Sequence, residues 1–293
     1  MQKRLLPIMI TLVITLLGVV WVMAQDGAEC TTSINQLWTV ASDACIKQTI
    51  GFICNGGSPP QVEPAGPVSN ALNPVGALVD VSVVDAMRTP LIASNGAAGG
   101  LVWLRPAAPI RYTGLLVGDV TVFDNTPEGF PSWQASIVIT SSERSGCAAA
   151  PRSAYALQTP FGEPTSIAIN GVSIGLNGTL IVETTADQTI FANLSGQSSL
   201  YAVGQEVILR PGEQTTVLYS PGNFSAPIAP PALSSPLDGS LIQNFPVALL
   251  DRPIILPQPG FVATDGAVNL RVSPSTDAAV IVQVPGGQVL SVL

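Results

Sequence analysis

Residues 166–219 read SIAINGVSIGLNGTLIVETTADQTIFANLSGQSSLYAVGQEVILRPGEQTTVLY, and this pattern decides the fold class. Apolar residues alternate with polar ones in short runs. The pairs are Ile167 and Ile169, Val172 and Ile174, Leu180 and Val182, Ile190 and Ala192, Leu200 and Ala202, Val207 and Leu209, and Val217 and Tyr219. Successive side chains of a strand point to opposite faces, so a period of two marks strands buried on one side. Asn170-Gly171 separates two such runs, and both residue types tolerate the positive φ that the tightest hairpin turn demands. Asn177-Gly178, Ser195-Gly196, Gly204 and Pro211-Gly212 supply further breaks. About six evenly spaced strands predict an antiparallel β-sandwich or a solenoid-like β-domain.

Working outward, residues 75–140 read as a first β-region. Strand candidates cover 77–84, 101–104, 115–122 and 136–140, with a flexible loop at 94–100 (SNGAAGG). The acids of 119–129 (DVTVFDNTPEG) admit a calcium loop, but the EF-hand spacing is absent. A turn held by side-chain hydrogen bonds is the expected reading. Trp103 and Trp133 suit either a core or the wall of a sugar site, and core is the commoner use. Residues 31–47 predict one short helix. Ile34, Leu37, Trp38, Ala41 and Cys45 recur at helical spacing, and Thr31, Thr32 or Ser33 serves as the N-cap. Residues 221–259 are rich in proline and read as an extended linker, from which 241–250 and 254–256 can add edge strands.

Residues 1–24 have the form of a secretory signal: Lys3 and Arg4, then an apolar run from Leu5 to Val22, then Ala24 before Gln25. The run is long enough to remain as an anchor if uncleaved. Removal of Lys3 and Arg4 leaves nine bases against 19 acids, a net charge of −10. Nucleic acid as a partner is excluded by the absence of a basic footprint. Cys30, Cys45, Cys54 and Cys147 form an even set in an exported chain and predict two disulfides, with three pairings open. Their spacing does not suit a zinc site, which takes close-spaced thiolate pairs. The chain has no histidine, which removes the Ser-His-Asp and Cys-His systems and the common metal triads. No phosphate loop is present, no carboxylate pair stands out, and neither cofactor nor enzymatic activity is expected.

Two family resemblances add to this reading. Asn177–Leu180 (NGTL), Leu194–Gly196 (LSG), the strand ending at Val203-Gly204 and Leu209–Val217 (LRPGEQTTV) resemble the FecR family of envelope proteins. The resemblance implies an all-β extracytoplasmic domain for sensing or protein contact over about residues 160–220, and it does not imply iron binding. Residues 266–293 resemble the first half of a bacterial Src-homology-3-type domain. The carriers are Val268-Asn269-Leu270-Arg271, Pro274–Asp277, Val280-Ile281, Pro285 and Gly287. That resemblance implies binding to cell-wall glycan, and the half normally completing the barrel is missing from it.

The expected organisation is a signal over 1–24 and a Cys-containing helix-plus-β domain over 25–150. A FecR-like β-domain over 151–220, a linker over 221–260 and a partial C-terminal β-barrel over 261–293 follow. The chain is expected to be a secreted or envelope-associated binding protein without enzymatic activity, its partner cell-wall glycan or an envelope protein. A membrane is involved only if the N-terminal segment stays uncleaved. The alternatives are an extracytoplasmic sensory input domain and, third, a polysaccharide-active enzyme.

Overall fold

The structure is a computed structural model that describes residues 28–48, 50–254, 261–271 and 275–291. The segment read as a signal, the end of the Pro-rich stretch and Pro274 lie outside the described residues.

The fold is mainly β, as the alternation predicts. Sixteen strands share one sheet. The first eight are β1 (Phe52–Asn55), β2 (Gln61–Glu63), β3 (Leu78–Asp80), β4 (Ala86–Arg88), β5 (Leu101–Arg105), β6 (Thr113–Val117), β7 (Val120–Asp124) and β8 (Ala135–Thr140). The next eight are β9 (Ala154–Gln158), β10 (Thr165–Ile169), β11 (Val172–Thr184), β12 (Gln188–Ala202), β13 (Gln205–Leu209), β14 (Glu213–Ser220), β15 (Asn223–Pro227) and β16 (Ser235–Pro236). Strands from before and after residue 150 therefore interleave in one hydrogen-bonded array. The main path runs β2-β4-β7-β8-β10-β11-β9-β6-β5-β1-β3, and β12 leads off it to β13 and β14. Neighbours are antiparallel except β8 and β10.

The spine of the sheet is the long hairpin β11–β12. Asn170-Gly171 makes the expected tight turn into it, with φ of 51° and 71°. The Asn170 side chain is buried and bonds the Val138 amide (2.7 Å), the Val138 carbonyl (2.9 Å) and Thr189 Oγ1 (2.9 Å). The turns expected at Asn177-Gly178 and Ser195-Gly196 are not turns. Both pairs sit inside the long strands, where Gly178 faces Gly196. A Cβ on Gly178 would collide with the Ser195 carbonyl oxygen, and one on Gly196 with that of Asn177. The glycines allow the two backbones to close, and the register shifts beside them, between Thr179 and Leu180. This kink divides the spine. Its first half, 172–177 with 198–202, is flanked by β10 and β13, and its second half, 179–184 with 188–193, by β9 and β14.

The curled sheet encloses one core on its inner face, including Val102, Leu104, Tyr155, Leu180, Val182 and Phe191. A second core lies on its outer face, including Leu101, Trp103, Ala154, Ala156, Ile181 and Ala192. β5, β6 and β9 are buried at every position because both faces are covered. That is why they read as apolar runs and not as alternation.

Two elements cover the outer face. One is the helix α1 (28–45), which buries Ile34, Ala41 and Cys45 of the expected stripe together with Cys30 and half-buries Leu37 and Trp38. It begins before the expected N-cap residues, and Thr32 Oγ1 instead donates to the Ala28 carbonyl within the helix (3.0 Å). Two disulfides hold α1 at both ends: Cys30–Cys147, closing 117 residues, and Cys45–Cys54, closing nine. All four sulfurs belong to buried residues.

The other cover is the Pro-rich stretch, which is a packed strap and not an extended linker. It adds β16 at the edge of β14. Residues 241–250, expected as an edge strand, instead form short helical turns at Gly239–Ile242 and Val247–Leu249, and 255–256 lie outside the described residues. Leu241, Phe245, Leu249 and Leu250 are buried on the outer core. Trp103 Nε1 donates to the Leu249 carbonyl (3.1 Å), and Arg105 pairs with Asp251 (2.7 Å), which also takes the Thr113 hydroxyl. The Gln158 amide pairs with the Arg252 backbone as a strand would, at 2.7 and 3.1 Å. Proline spacing misleads here because the buried apolar residues fall between the prolines.

The tail holds two small ladders. β17 (Phe261–Ala263) pairs with β20 (Val289–Ser291), and β18 (Val268–Arg271) pairs with β19 (Val280–Val284). Asp265 accepts a bond from the Gly196 amide at the spine's kink (2.9 Å).

Candidate functional site: an uncharged trough on the open half of the spine

The outer face that α1 and the strap cover over the second half of the spine continues uncovered over the first half. Ser173, Gly175, Ser199 and Tyr201 point outward from β11 and β12, because Val172, Ile174, Leu176, Leu200 and Ala202 point into the inner core. The ladder sets them in two rows. Ala168, Ser173, Tyr201 and Glu206 lie side by side across β10 to β13, and so do Ser166, Gly175, Ser199 and Ile208. Small residues thus form a floor, and larger side chains stand at its margin.

The facing wall is the loop between β7 and β8, which carries Thr126, Pro127, Phe130 and Gln134. Asp124 pins this loop, accepting from the Thr126 amide and the Trp133 amide (3.0 Å each). Trp133 lies beneath it in the core and donates its indole N–H to the Val81 carbonyl (3.0 Å). Asp119, the other acid of this region, holds Arg88 by two 2.9 Å bonds. Asp119 and Asp124, two of the three acids that invited a calcium reading, therefore serve as ion-pair and turn partners.

Floor and wall enclose a trough of about 470 Å³. Phe130 is 62% exposed and Tyr201 51%, so two rings stand half in solvent at its rim. No acid and no base lines it. Gln134 Oε1 is buried there without a hydrogen-bond partner. The hydroxyls of Ser166, Ser173 and Ser199 make no bond to the protein among the described residues. A surface of this composition can stack and hydrogen-bond a ligand. It carries no carboxylate, amine or guanidinium.

Sequence reasoning singled out other residues. The structure buries Trp103 and Trp133 in the core with their N–H groups satisfied, so neither ring lines a surface. The four cysteines bracket α1, on the covered half. Glu183 is the one deeply buried acid among the described residues. It pairs with Arg152, and Glu183 Oε2 has no hydrogen-bond partner. Burial raises its carboxyl above the ordinary range, against the pull of Arg152 and Arg144. Among the described residues no group of three or more Cys, Asp or Glu could hold a metal.

No family model matches the chain, and no curated protein matches it. Two solved structures do, each of a putative anti-sigma factor from Parabacteroides distasonis. One is 12% identical with a TM-score of 0.29, covering 44% of this chain and 53% of the other. The second is 10% identical with a TM-score of 0.32, covering 52% and 61%. This chain thus spans between half and two thirds of the length of those neighbours. The buried disulfides are consistent with an extracytoplasmic chain, and among the described residues no helix is long and apolar enough to cross a membrane.

Proposed function

We propose that this chain is a non-enzymatic binding protein that works outside the cytoplasm and docks an envelope partner on the open half of its spine. One observation carries the reading. A sheet buried on both faces over half its spine leaves the other half bare, with Phe130, Tyr201 and Ile208 each about half exposed or more. Exposed aromatic groups around a concave, uncharged floor favour association over chemistry. The disulfide-anchored helix and the strap keep the covered half rigid, so the open half is presented without reorganisation.

The second reading is an extracytoplasmic sensory input domain. It draws on the FecR-type resemblance of residues 160–220, and structural likeness at the TM-scores found adds no weight to it. Both readings use the same face and differ in what the bound state does.

Co-sedimentation of the exported, oxidised chain with isolated bacterial envelopes tests the proposal. The native chain is expected in the pellet, and a Phe130→Ala/Tyr201→Ala double variant in the supernatant. Equal sedimentation of the two, or none of either, defeats the reading.

A further inference from the structure

We infer that the trough takes a neutral glycan, a run of uncharged pyranose rings stacked against Phe130 and Tyr201. The inference rests on the proposal that the open face is the binding surface, and it names the ligand class.

Four observations converge on it. First, the lining carries no acid and no base, although the chain has a net charge of −8. A charged ligand would find no counter-charge there. Glu206 stands opposite Tyr201 on the ladder and Glu128 lies between Pro127 and Phe130 in the wall loop, and both repel an anionic chain. Second, the middle of the floor offers no free backbone, and the free edge of β13 beside it does not line the trough. β11 is paired by β10 and β12 through this region, and β12 by β11 and β13. The Ala168 amide of β10 is taken by the Gln134 carbonyl (2.8 Å). An extended peptide gains its affinity chiefly by adding to a free strand edge, and the face of a paired sheet gives it none.

Third, the floor does offer unmet side-chain groups. The hydroxyls of Ser166, Ser173 and Ser199 each donate and accept. A sugar hydroxyl is itself donor and acceptor and meets both needs. Fourth, the rims are aromatic. The face of a ring is negative, and the axial C–H bonds of a pyranose present a weakly positive, apolar face to it. Neither ring is needed by the core, since both are more than half exposed. Asp124 pins the backbone of the Phe130 loop on both sides of the ring.

Isothermal titration of the exported, oxidised chain is the test. The probes are hexasaccharides of β-1,4-linked glucose, N-acetylglucosamine, xylose and mannose, with polygalacturonate as the anionic control and a panel of uncharged extended peptides beside them. At least one neutral hexasaccharide is expected to bind. Phe130→Ala and Tyr201→Ala are each expected to weaken that binding by about tenfold. Gly175→Leu is expected to abolish it, because a side chain there grows over the floor toward the flexible Ser199 hydroxyl. Thermal melting of each variant verifies that the fold is kept. Sugar binding that ignores all three substitutions overturns the inference, as does no binding by any neutral hexasaccharide or binding of polygalacturonate alone. Peptide binding lost with Tyr201→Ala overturns the glycan and leaves the open face as a binding surface. If no probe binds, the glycan is overturned, and the envelope sedimentation decides separately whether the open face still docks a partner.

Discussion

The two halves of the β11–β12 spine are built from the same two strands and differ in what lies on their outer face. Over the second half, Ile181, Ala192 and Leu194 meet the helix-and-strap core. Over the first, Ser173, Gly175, Ser199 and Tyr201 meet solvent. The kink at Gly178 and Gly196 marks the change. One pair of strands thus serves as scaffold at one end and as display surface at the other. The division teaches that stability and contact are assigned to different stretches of the same hairpin, so substitutions in the two halves should separate cleanly.

The largest expected effect breaks the covered half. Cys30→Ser/Cys147→Ser removes the closure of a 117-residue loop and should cost about 3–5 kcal/mol in urea unfolding, within the loop-entropy range. A loss below ~1 kcal/mol would mean that α1 holds its place without the bridge. Next comes the kink itself. Gly196→Ala adds a methyl at φ of 65° against the Asn177 backbone oxygen and should cost about 2–4 kcal/mol by the same measurement. A neutral outcome would mean that the halves are not joined by close backbone approach.

A smaller effect sharpens the contrast through pH. Glu183 on the covered half has its carboxyl raised by burial, so the folded state holds its proton at a pH where the unfolded chain has released it. Stability should therefore be highest below the ordinary glutamate value, fall as pH rises toward the folded value, and level off above it. Glu183→Gln should flatten that part of a urea-midpoint profile recorded over about pH 4–7. A slope that survives the substitution would assign it to another group. The smallest effect belongs to the open half. Tyr201→Ala and Phe130→Ala should each leave the unfolding free energy within about 0.5 kcal/mol of the native chain. A cost of ~2 kcal/mol or more at either would make that ring part of the fold.

Much of the open half was legible in the sequence. Where one face is wet, the strands alternate, and Leu200 and Ala202 inward already place Tyr201 outward. Asn170-Gly171 announced its turn because both positions need positive φ. Asn177-Gly178 and Ser195-Gly196 misled for a physical reason. A glycine that lets two backbones touch inside a strand looks the same in sequence as one that reverses the chain. The covered half was harder to read. Burial on both faces erases alternation in 101–105, 113–117 and 154–158, and the strap's anchors are hidden among prolines. The trough could not be found from sequence, because Phe130 and Tyr201 meet only through the pairing of β8 with β10 and of β10 through β12. Phe130 itself sits in a loop with no periodic signal.

Hydroxyl-radical footprinting of the native chain, with and without envelope material, tests most directly whether the open half is the contact surface. Oxidation of Phe130 and Tyr201 should fall on binding. Phe161 and Leu233, 74% and 89% exposed and outside the trough, should oxidise at unchanged rates. Protection at Phe161 or Leu233 with Phe130 and Tyr201 still reactive would contradict it and move the contact to another face.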